Sequence, residues 1–378
     1  MDGFALRIQT RTPDFLVDVA LDAGNELISL LGRSGSGKTV VLRSVAGVYT
    51  PQHGLIELGD RIVFSSVQGV DIPPSERRVG WVPHVTTLFP NLSVADNVAF
   101  ALKKQDTTSP ETGRRRVREV LDMMQLIPQW DRLPAKLTTE QLQRVAFARA
   151  LVIDPDILLL DDPFADLDIS ARRQARHEFQ SLRAGINVPA ILSTTDLEEA
   201  YEVSSRIALI DRGRILQYDP PRTLVMRPAN RDVADLVLSV NIGRGLVVEA
   251  VEGGVMVQTR LGRLRAAGVY PLGIDVDMVI RPEHIQVLAP GGNEEYSDNI
   301  LVGRMIEAER HDDFFELTFV PDTGGDPLRI TMSDLAYHEP TVDPSQQSRV
   351  RLPPQAIHLM ASLPDTNATP TLGSDFEE

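Results

Sequence analysis

The stretch that decides the fold is Gly32-Arg33-Ser34-Gly35-Ser36-Gly37-Lys38-Thr39. It fits G-x-x-x-x-G-K-[ST] and sits between the apolar run Leu27-Ile28-Ser29-Leu30-Leu31 and the segment Val40 to Ala46, which has helical character. Strand, glycine loop and helix are the context such a match requires. Glycines let successive backbone N–H groups turn toward phosphate oxygens without a Cβ in the way, and the helix N-terminus adds partial positive charge. Lys38 then reaches the β- and γ-phosphates, and the Thr39 hydroxyl is placed for Mg²⁺. The loop and the first helical residue, Val40, form the expected nucleotide-binding segment.

A phosphate loop needs a carboxylate to hold the metal, normally at the end of a buried strand. Leu158-Leu159-Leu160-Asp161-Asp162-Pro163 supplies it, with Asp161 on the metal side and Asp162 next in line.

With 378 residues the chain exceeds one typical domain. Its composition, 42% hydrophobic and 24% charged, suits a globular protein with a sizeable core. There is neither a long apolar run nor a basic-then-apolar leader, so the expectation is a chain that does not span a membrane and is not secreted. Zero cysteines exclude disulfides, thiolate metal sites and cysteine nucleophiles. A net charge of −15 argues against nucleic acid as a main partner. The basic run Arg114-Arg115-Arg116-Val117-Arg118 reads as a solvated helix face.

Alternation at Phe4/Leu6/Ile8 and at Phe15/Val17/Val19/Leu21 predicts a hairpin, and Gly54–Leu58 with Arg61–Phe64 a second strand pair. That alternation favours a core role for Phe15, the aromatic close upstream of the loop, over stacking on a nucleotide base. From about residue 90 to 151 the spacing turns helical, opened by a capping box at Ser93-Val94-Ala95-Asp96. Apolar runs at Ile157–Leu160 and Ala190–Leu192 predict parallel strands covered on both faces. Arg206–Ile210 and Arg214–Leu216 close the domain as a hairpin around Asp211-Arg212-Gly213.

Past about residue 240 the pattern becomes short β runs with a weak duplication. Asn241-Ile242-Gly243-Arg244 is echoed by Asn299-Ile300-Leu301-Val302-Gly303-Arg304, and Val279 to Ile285 by Arg351 to Ile357. Two small, intertwined β-barrel lobes are the expectation. The predicted organisation is 1–239, 240–362 and a disordered tail over 363–378.

Taken together, these segments resemble the nucleotide-binding subunits of ABC transporters, in particular importer ATPases with a C-terminal β-barrel. Gly69 to Gly80 is most like molybdate-type members, and Leu88 to Val94 is similar to the family's loop into its helical subdomain. Gln143 to Leu151 resembles the signature helix, Ala165-Asp166-Leu167-Asp168 the D-loop, and Val279-Ile280-Arg281-Pro282-Glu283 a hallmark of the C-terminal domain. The resemblance implies an α/β P-loop NTPase fold (an ABC ATPase) with a helical subdomain, followed by an all-β, OB-like TOBE domain. It implies ATP and Mg²⁺ as cofactors. As partners it implies permease subunits, docked around Phe89 to Phe100, and through them a solute-binding protein, with a place on the inner face of the cell membrane. It also implies a homodimer or pairing with another ABC subunit. The solute stays open among molybdate or another inorganic anion, iron and polyamines.

Four departures from the family pattern bear on turnover. His84 stands where a glutamine touches Mg²⁺ and relays nucleotide state. The signature loop, Leu-Ser-Gly-Gly-Gln in the family, is here Leu137-Thr138-Thr139-Glu140-Gln141. Thr138 and Gln141 can still cap the helix, whereas Glu140 sets a carboxylate where a partner's phosphate would approach, a repulsion of about 4 kcal/mol at 4 Å. Asp162 replaces the catalytic glutamate with about 1.5 Å less reach, and such a misplacement costs on the order of a hundredfold in rate. Thr195 replaces a histidine that contacts the γ-phosphate. The residues assigned to catalysis are therefore Asp162, Thr195 and His84, and those assigned to the metal are Thr39, Asp161 and His84. The resemblance makes the chain an ATPase coupled to transport. The alternative reading is a hydrolysis-deficient nucleotide-binding or regulatory subunit.

Overall fold

The computed structural model describes residues 3–84, 88–104, 109–165, 167–183, 185–186, 188–238, 240–288, 298–311, 314–333 and 347–362. The expected tail and Asp166 of the D-loop lie outside these residues. By contacts the chain divides into two units, Met1–Leu224 and Val225–Glu378.

The first unit is built on one large mixed sheet. In chain order its strands are β1 (Phe4–Arg11), β2 (Leu16–Ala23), β3 (Leu27–Leu31), β4 (His53–Leu58), β5 (Arg61–Ser65) and β6 (Val70–Asp71). They continue with β7 (Val79–Val82), β8 (Ile157–Asp161), β9 (Ala190–Thr194), β10 (Arg206–Asp211) and β11 (Arg214–Asp219). Their spatial order is β6-β5-β4-β1-β2-β11-β10-β3-β9-β8-β7. The strands β10, β3, β9, β8 and β7 run parallel, and β1/β2, β1/β4 and β4/β5 pair antiparallel. Every residue of β3 and β9 is buried, as continuous apolar runs in a doubly covered parallel sheet require.

The helices are α1 (Lys38–Ala46), α2 (Val94–Ala99), α3 (Pro110–Met123), α4 (Thr139–Leu151), α5 (Ile169–Arg183) and α6 (Leu197–Val203). Between β7 and β8 the helical segment packs Val94, Val98, Val117, Val120, Leu121 and Val145 into a core shared with Val82, Leu158, Leu160 and Leu192 of the sheet. The cap of α2 differs from the predicted box. Ser93 Oγ accepts from Asp96 N, but the Asp96 carboxylate returns only to the Ser93 hydroxyl (2.7 Å), since aspartate is too short to reach the backbone N–H. At α4 the box is complete: Thr138 Oγ1 accepts from Gln141 N, and Thr138 N donates to Gln141 Oε1.

A fully buried guanidinium fixes the far end of α1. Arg77 donates to Ser44 O (2.7 Å) and Val45 O (3.0 Å) in the last helical turn, to Ile72 O (2.6 Å) and to Asp71 Oδ1 (2.8 Å). It adds a donor to carbonyls at the helix end, of which Ser44 O also accepts from Gly47 N, and places a cation at the negative end of the dipole. Gly47 ends the helix in the left-handed region (φ 78°), and a Cβ there would lie 2.5 Å from Arg77 Nε.

The division at 224/225 falls within α7 (Pro221–Met226), and the first helix wholly in the second unit is α8 (Arg231–Leu236). The sequence-based boundary at 239/240 falls later in the chain. Ala234 of α8 packs with Val279 and Met360, so this helix groups with the β unit.

One sheet of that unit contains β12 (Asn241–Val251), β13 (Gly254–Thr259), β14 (Gly262–Ala267), β15 (Asp275–Ile280) and β21 (Ile357–Ala361). The other contains β16 (Gln286–Leu288), β17 (Ile300–Arg310), β18 (Phe314–Pro321), β19 (Leu328–Ser333) and β20 (Ser348–Arg351). The chain crosses from the first sheet to the second after β15 and returns after β20, each time through a 3₁₀ turn at the duplicated proline segments, Pro282–His284 and Pro354–Ala356. The repeated asparagines form reciprocal clamps. Asn241 exchanges hydrogen bonds with Arg329 N and O, both 2.8 Å, and Asn299 does the same with Arg265 N and O, both 2.6 Å. The first clamp ties β12 to β19 of the other sheet, and the second ties the residue just before β17 to β14.

Arg77→Met is expected to destabilise the protein by about 2–3 kcal/mol, because it takes the guanidinium donor from the carbonyls of Val45 and Ile72 and leaves Asp71, which is exposed, to solvent. Urea unfolding measures this, and an unchanged midpoint would contradict the role given to Arg77.

Candidate functional site

The site is assembled at the C-terminal ends of the parallel strands, where open α/β sheets bind ligands. β3 ends at Leu31 and runs into the glycine loop, β8 ends at Asp161, β9 at Thr194, and β7 leads to His84. Gly35 (φ 80°) and Gly37 (φ 110°) take left-handed conformations that turn the loop into α1. A Cβ on Gly32 would lie 2.2 Å from Ile210 O, so only glycine fits at the strand exit.

Neighbouring elements hold this loop in place. Gly32 N donates to Thr194 O (3.3 Å) and Gly213 N, from the β10–β11 turn, donates to Ser36 O (2.8 Å). Phe15 is half-buried against the core, as its alternation predicted, with its ring beside Gly37 and Gly213. Arg33, Ser34, Gly35 and Thr39 are exposed and Val40 is half-buried.

Lys38 is buried, and its ammonium donates to Gly32 O (2.7 Å) and Arg33 O (3.0 Å). Burial holds its pKa below the usual value, while the nearby carboxylates of Asp162 and Asp161 pull it back up. Asp161 accepts a hydrogen bond from Ser193 Oγ (2.7 Å), which leaves its other oxygen for a metal. Asp162 has a left-handed backbone (φ 51°), an uncommon state for a non-glycine residue, and is pinned by Asp162 N to Ser193 O (2.9 Å). Its carboxyl pKa is raised by burial, opposed by His84 and Lys38 and reinforced by Asp161. His84 is exposed, with Nδ1 3.3 Å from Asp162 O. Thr195 is exposed on the turn after β9.

The residues fit a magnesium triphosphate. A hydroxyl at Thr39 and a carboxylate at Asp161 are the oxygen ligands Mg²⁺ prefers when phosphate and water complete its shell. The buried Ser36 Oγ has no hydrogen-bond partner among the described residues, and nothing stands where a Cβ on Gly35 would project. Both features suit close approach of a polar ligand.

The signature residues occupy the start of α4. Leu137 packs on the helical core, Thr138 and Thr139 are exposed, and Glu140 and Gln141 are half-buried. Glu140 lines a cleft of about 30 Å³ with Gln143, Arg144 and Glu178. Of the D-loop, Leu167 is buried, and the Asp168 carboxylate accepts from Ser170 Oγ (2.8 Å) and Ala171 N (2.9 Å) at the start of α5.

Three contributors escaped the sequence reading: Ser193, which orients Asp161; Gln143, whose amide donates to Pro163 O (2.8 Å) and ties α4 to the metal strand; and Glu199, buried behind Thr194. The only sequence signal for any of them was Asp196-x-x-Glu199, the spacing of a helix cap.

A glycine loop, a lysine and a strand-end carboxylate meeting at one sheet edge define a P-loop nucleotide-binding protein. The profile of the ABC transporter family matches residues 17–165. The spermidine/putrescine import ATP-binding protein of Rubrobacter xylanophilus is 40% identical over 315 residues, 80% of this chain and 80% of that protein. The molybdate/tungstate import ATP-binding protein of Thermococcus kodakarensis is 35% identical over 260 residues, 68% of this chain and 76% of the relative. The Fe(3+) ions import ATP-binding protein of Agrobacterium fabrum is 37% identical over 286 residues, 75% and 78% of the two chains. The chain belongs to the ABC transporter family, as one of its ATP-binding subunits.

Burial pushes the Glu199 carboxyl up to about 7 from an ordinary 4.5, with Thr194 and Arg176 opposing and Asp162 and Asp196 adding to the rise. Between those values the folded chain binds more protons than the unfolded one, so this group's contribution to stability is lost as pH rises from about 4.5 to 7. The difference amounts to roughly 3 kcal/mol at full titration. Glu199→Gln is therefore expected to be more stable than the parent at pH 8 and equal to it near pH 4.5, as thermal unfolding across that range would read. A constant difference at all pH values would contradict it.

Proposed function

We propose that this chain is the energising subunit of an import system, binding Mg·ATP along Gly32–Thr39 and hydrolysing it to drive uptake through a partner permease. The observation that carries this reading is the burial of Lys38 beside Asp161 and Asp162, next to a glycine loop whose buried Ser36 hydroxyl has no partner among the described residues. A lysine so placed exchanges its bonds to Gly32 O and Arg33 O for phosphate oxygens. Thr39 and Asp161 hold the magnesium, which when bound neutralises charge on the β- and γ-phosphates. Asp162 orients the attacking water, His84 lies beside it against the Asp162 backbone, and Thr195 offers a hydroxyl to the terminal phosphate.

Two ATP-binding subunits, either two copies of this chain or this chain and another ABC subunit, are proposed to close on nucleotide, with Leu137–Gln141 of one facing the phosphates of the other. For the permease, α2 and the loop before it form the proposed dock. Phe89 and Phe100 pack with tilted rings, centroids 4.3 Å apart, and remain about two-fifths exposed. Asn97 braces the loop from beneath through bonds to Phe89 N, Phe89 O, Leu92 O and Ser93 O. The permease would hold the subunit at the inner face of the membrane. No helix among the described residues is long and apolar enough to cross a membrane. The named relatives handle polyamines, an oxyanion and ferric iron, so the solute is proposed only as one of these classes.

Hydrolysis is expected to be slow, limited by the reach of Asp162. Asp162→Glu should raise kcat by about tenfold or more with KM little changed, while Lys38→Ala should abolish turnover. Steady-state phosphate release tests both. Activity in the parent equal to that of Lys38→Ala would remove the energising role and leave a nucleotide-holding subunit.

A further inference from the structure

The turn between β9 and α6 is held by a hydroxyl set into a helix cap. Asp196 is the N-cap of α6, accepting from Glu198 N (2.9 Å) and Glu199 N (3.2 Å). In a reciprocal cap the acidic residue at the third helical position returns a hydrogen bond to the N–H of the N-cap residue. Glu199 occupies that third position, but Asp196 N donates to Thr194 Oγ1 (3.0 Å), and Thr194 Oγ1 donates to Glu199 Oε2 (2.9 Å). One buried hydroxyl thus bridges the two halves of the cap.

The same strand end serves the nucleotide loop. Thr194 O accepts from Gly32 N, and the adjacent Ser193 holds both the Asp161 carboxylate and the Asp162 N–H. Thr195 is the one residue between the two bonded ends, Thr194 and Asp196, and it alone of the three is exposed. Asp196 is braced further by Arg172 (3.5 Å) and Arg176 (3.6 Å), so the turn has no slack on its α5 side. Glu199 itself is 2% exposed, and its Oε1 has no hydrogen-bond partner among the described residues. A surface cap needs no such burial, and leaving a carboxyl oxygen bare in the interior is costly. The arrangement makes physical sense if what must be fixed is the turn and not the helix.

We propose that Glu199 is a positioning residue: acting through the Thr194 hydroxyl, it holds the turn so that Thr195 meets the terminal phosphate of a bound triphosphate. This rests on the reading that Mg·ATP lies along the glycine loop with Thr195 toward its γ-phosphate. A diphosphate, which lacks that group, does not sense the turn.

The test is calorimetric titration of the full chain with Mg·ATPγS and, separately, Mg·ADP, on the parent and on Glu199→Ala, Glu199→Gln, Thr194→Val and Thr194→Ser. Glu199→Ala and Thr194→Val are expected to weaken Mg·ATPγS by about tenfold, the effect of one misplaced hydrogen bond, and to leave Mg·ADP within about twofold. Glu199→Gln keeps the acceptor and Thr194→Ser the hydroxyl, so both should stay within about threefold of the parent for both nucleotides. The proposal is overturned if Glu199→Ala and Thr194→Val retain the parent's preference for triphosphate, or if they weaken both nucleotides equally. Should Glu199→Ala not fold, the Thr194→Val and Thr194→Ser pair decides alone. A parent chain that binds neither nucleotide sinks the underlying reading of the site instead.

Discussion

A buried ammonium group bonded to the loop that surrounds it is the constraint the other elements serve. Lys38 cannot be buried without compensation; the carbonyls of Gly32 and Arg33 accept its hydrogen bonds, and Asp161 and Asp162 add their field only if β8 ends where β3 turns into α1. The parallel register of β3, β9 and β8 secures that, and the short side bonds from Thr194 O and Gly213 N stop the loop from collapsing into an ordinary turn. Arg77 anchors the opposite end of α1, so the helix is tied down at its C-terminus and free to offer its N-terminus to a ligand.

The altered residues around this core sit in a consistent pattern. Those proposed to bind phosphate and metal, Gly32 to Thr39 and Asp161, match the family pattern. Those proposed to face the terminal phosphate, namely His84, Asp162, Thr195 and Glu140, differ in length or charge from what that pattern implies. Asp162 is fixed through its backbone, with Ser193 on one side and His84 on the other, so its shorter side chain is not offset by a mobile main chain. Gln143 connects α4 to Pro163, one residue beyond.

Much of the fold was legible because its signals are local. The loop motif, the all-apolar strands, the hairpins and the cap at Thr138–Gln141 each depend on residue types at fixed short spacings. What was not legible involves partners far apart in the chain. Nothing near Arg77 announces that it will reach Ser44 and Val45, and nothing near Gln143 points to Pro163. The asparagine echo at 241 and 299 was visible, but its meaning required the strand exchange that brings Arg329 and Arg265 to them. The box predicted at Ser93–Asp96 came out half-formed because a pattern match ignores one methylene of reach. The Thr194–Glu199 bridge shows the opposite case: the spacing was a cap signal, and a hydroxyl from outside the motif changed its use.

The central claim is that one Mg·ATP is bound per chain by Lys38 and Asp161 together. Calorimetric titration of the purified chain with ATP, with and without magnesium, tests it most directly. A stoichiometry near one is expected, weakened when magnesium is withheld and lost in Lys38→Ala. Heat that is absent in the parent, or unchanged by Lys38→Ala, would contradict the account.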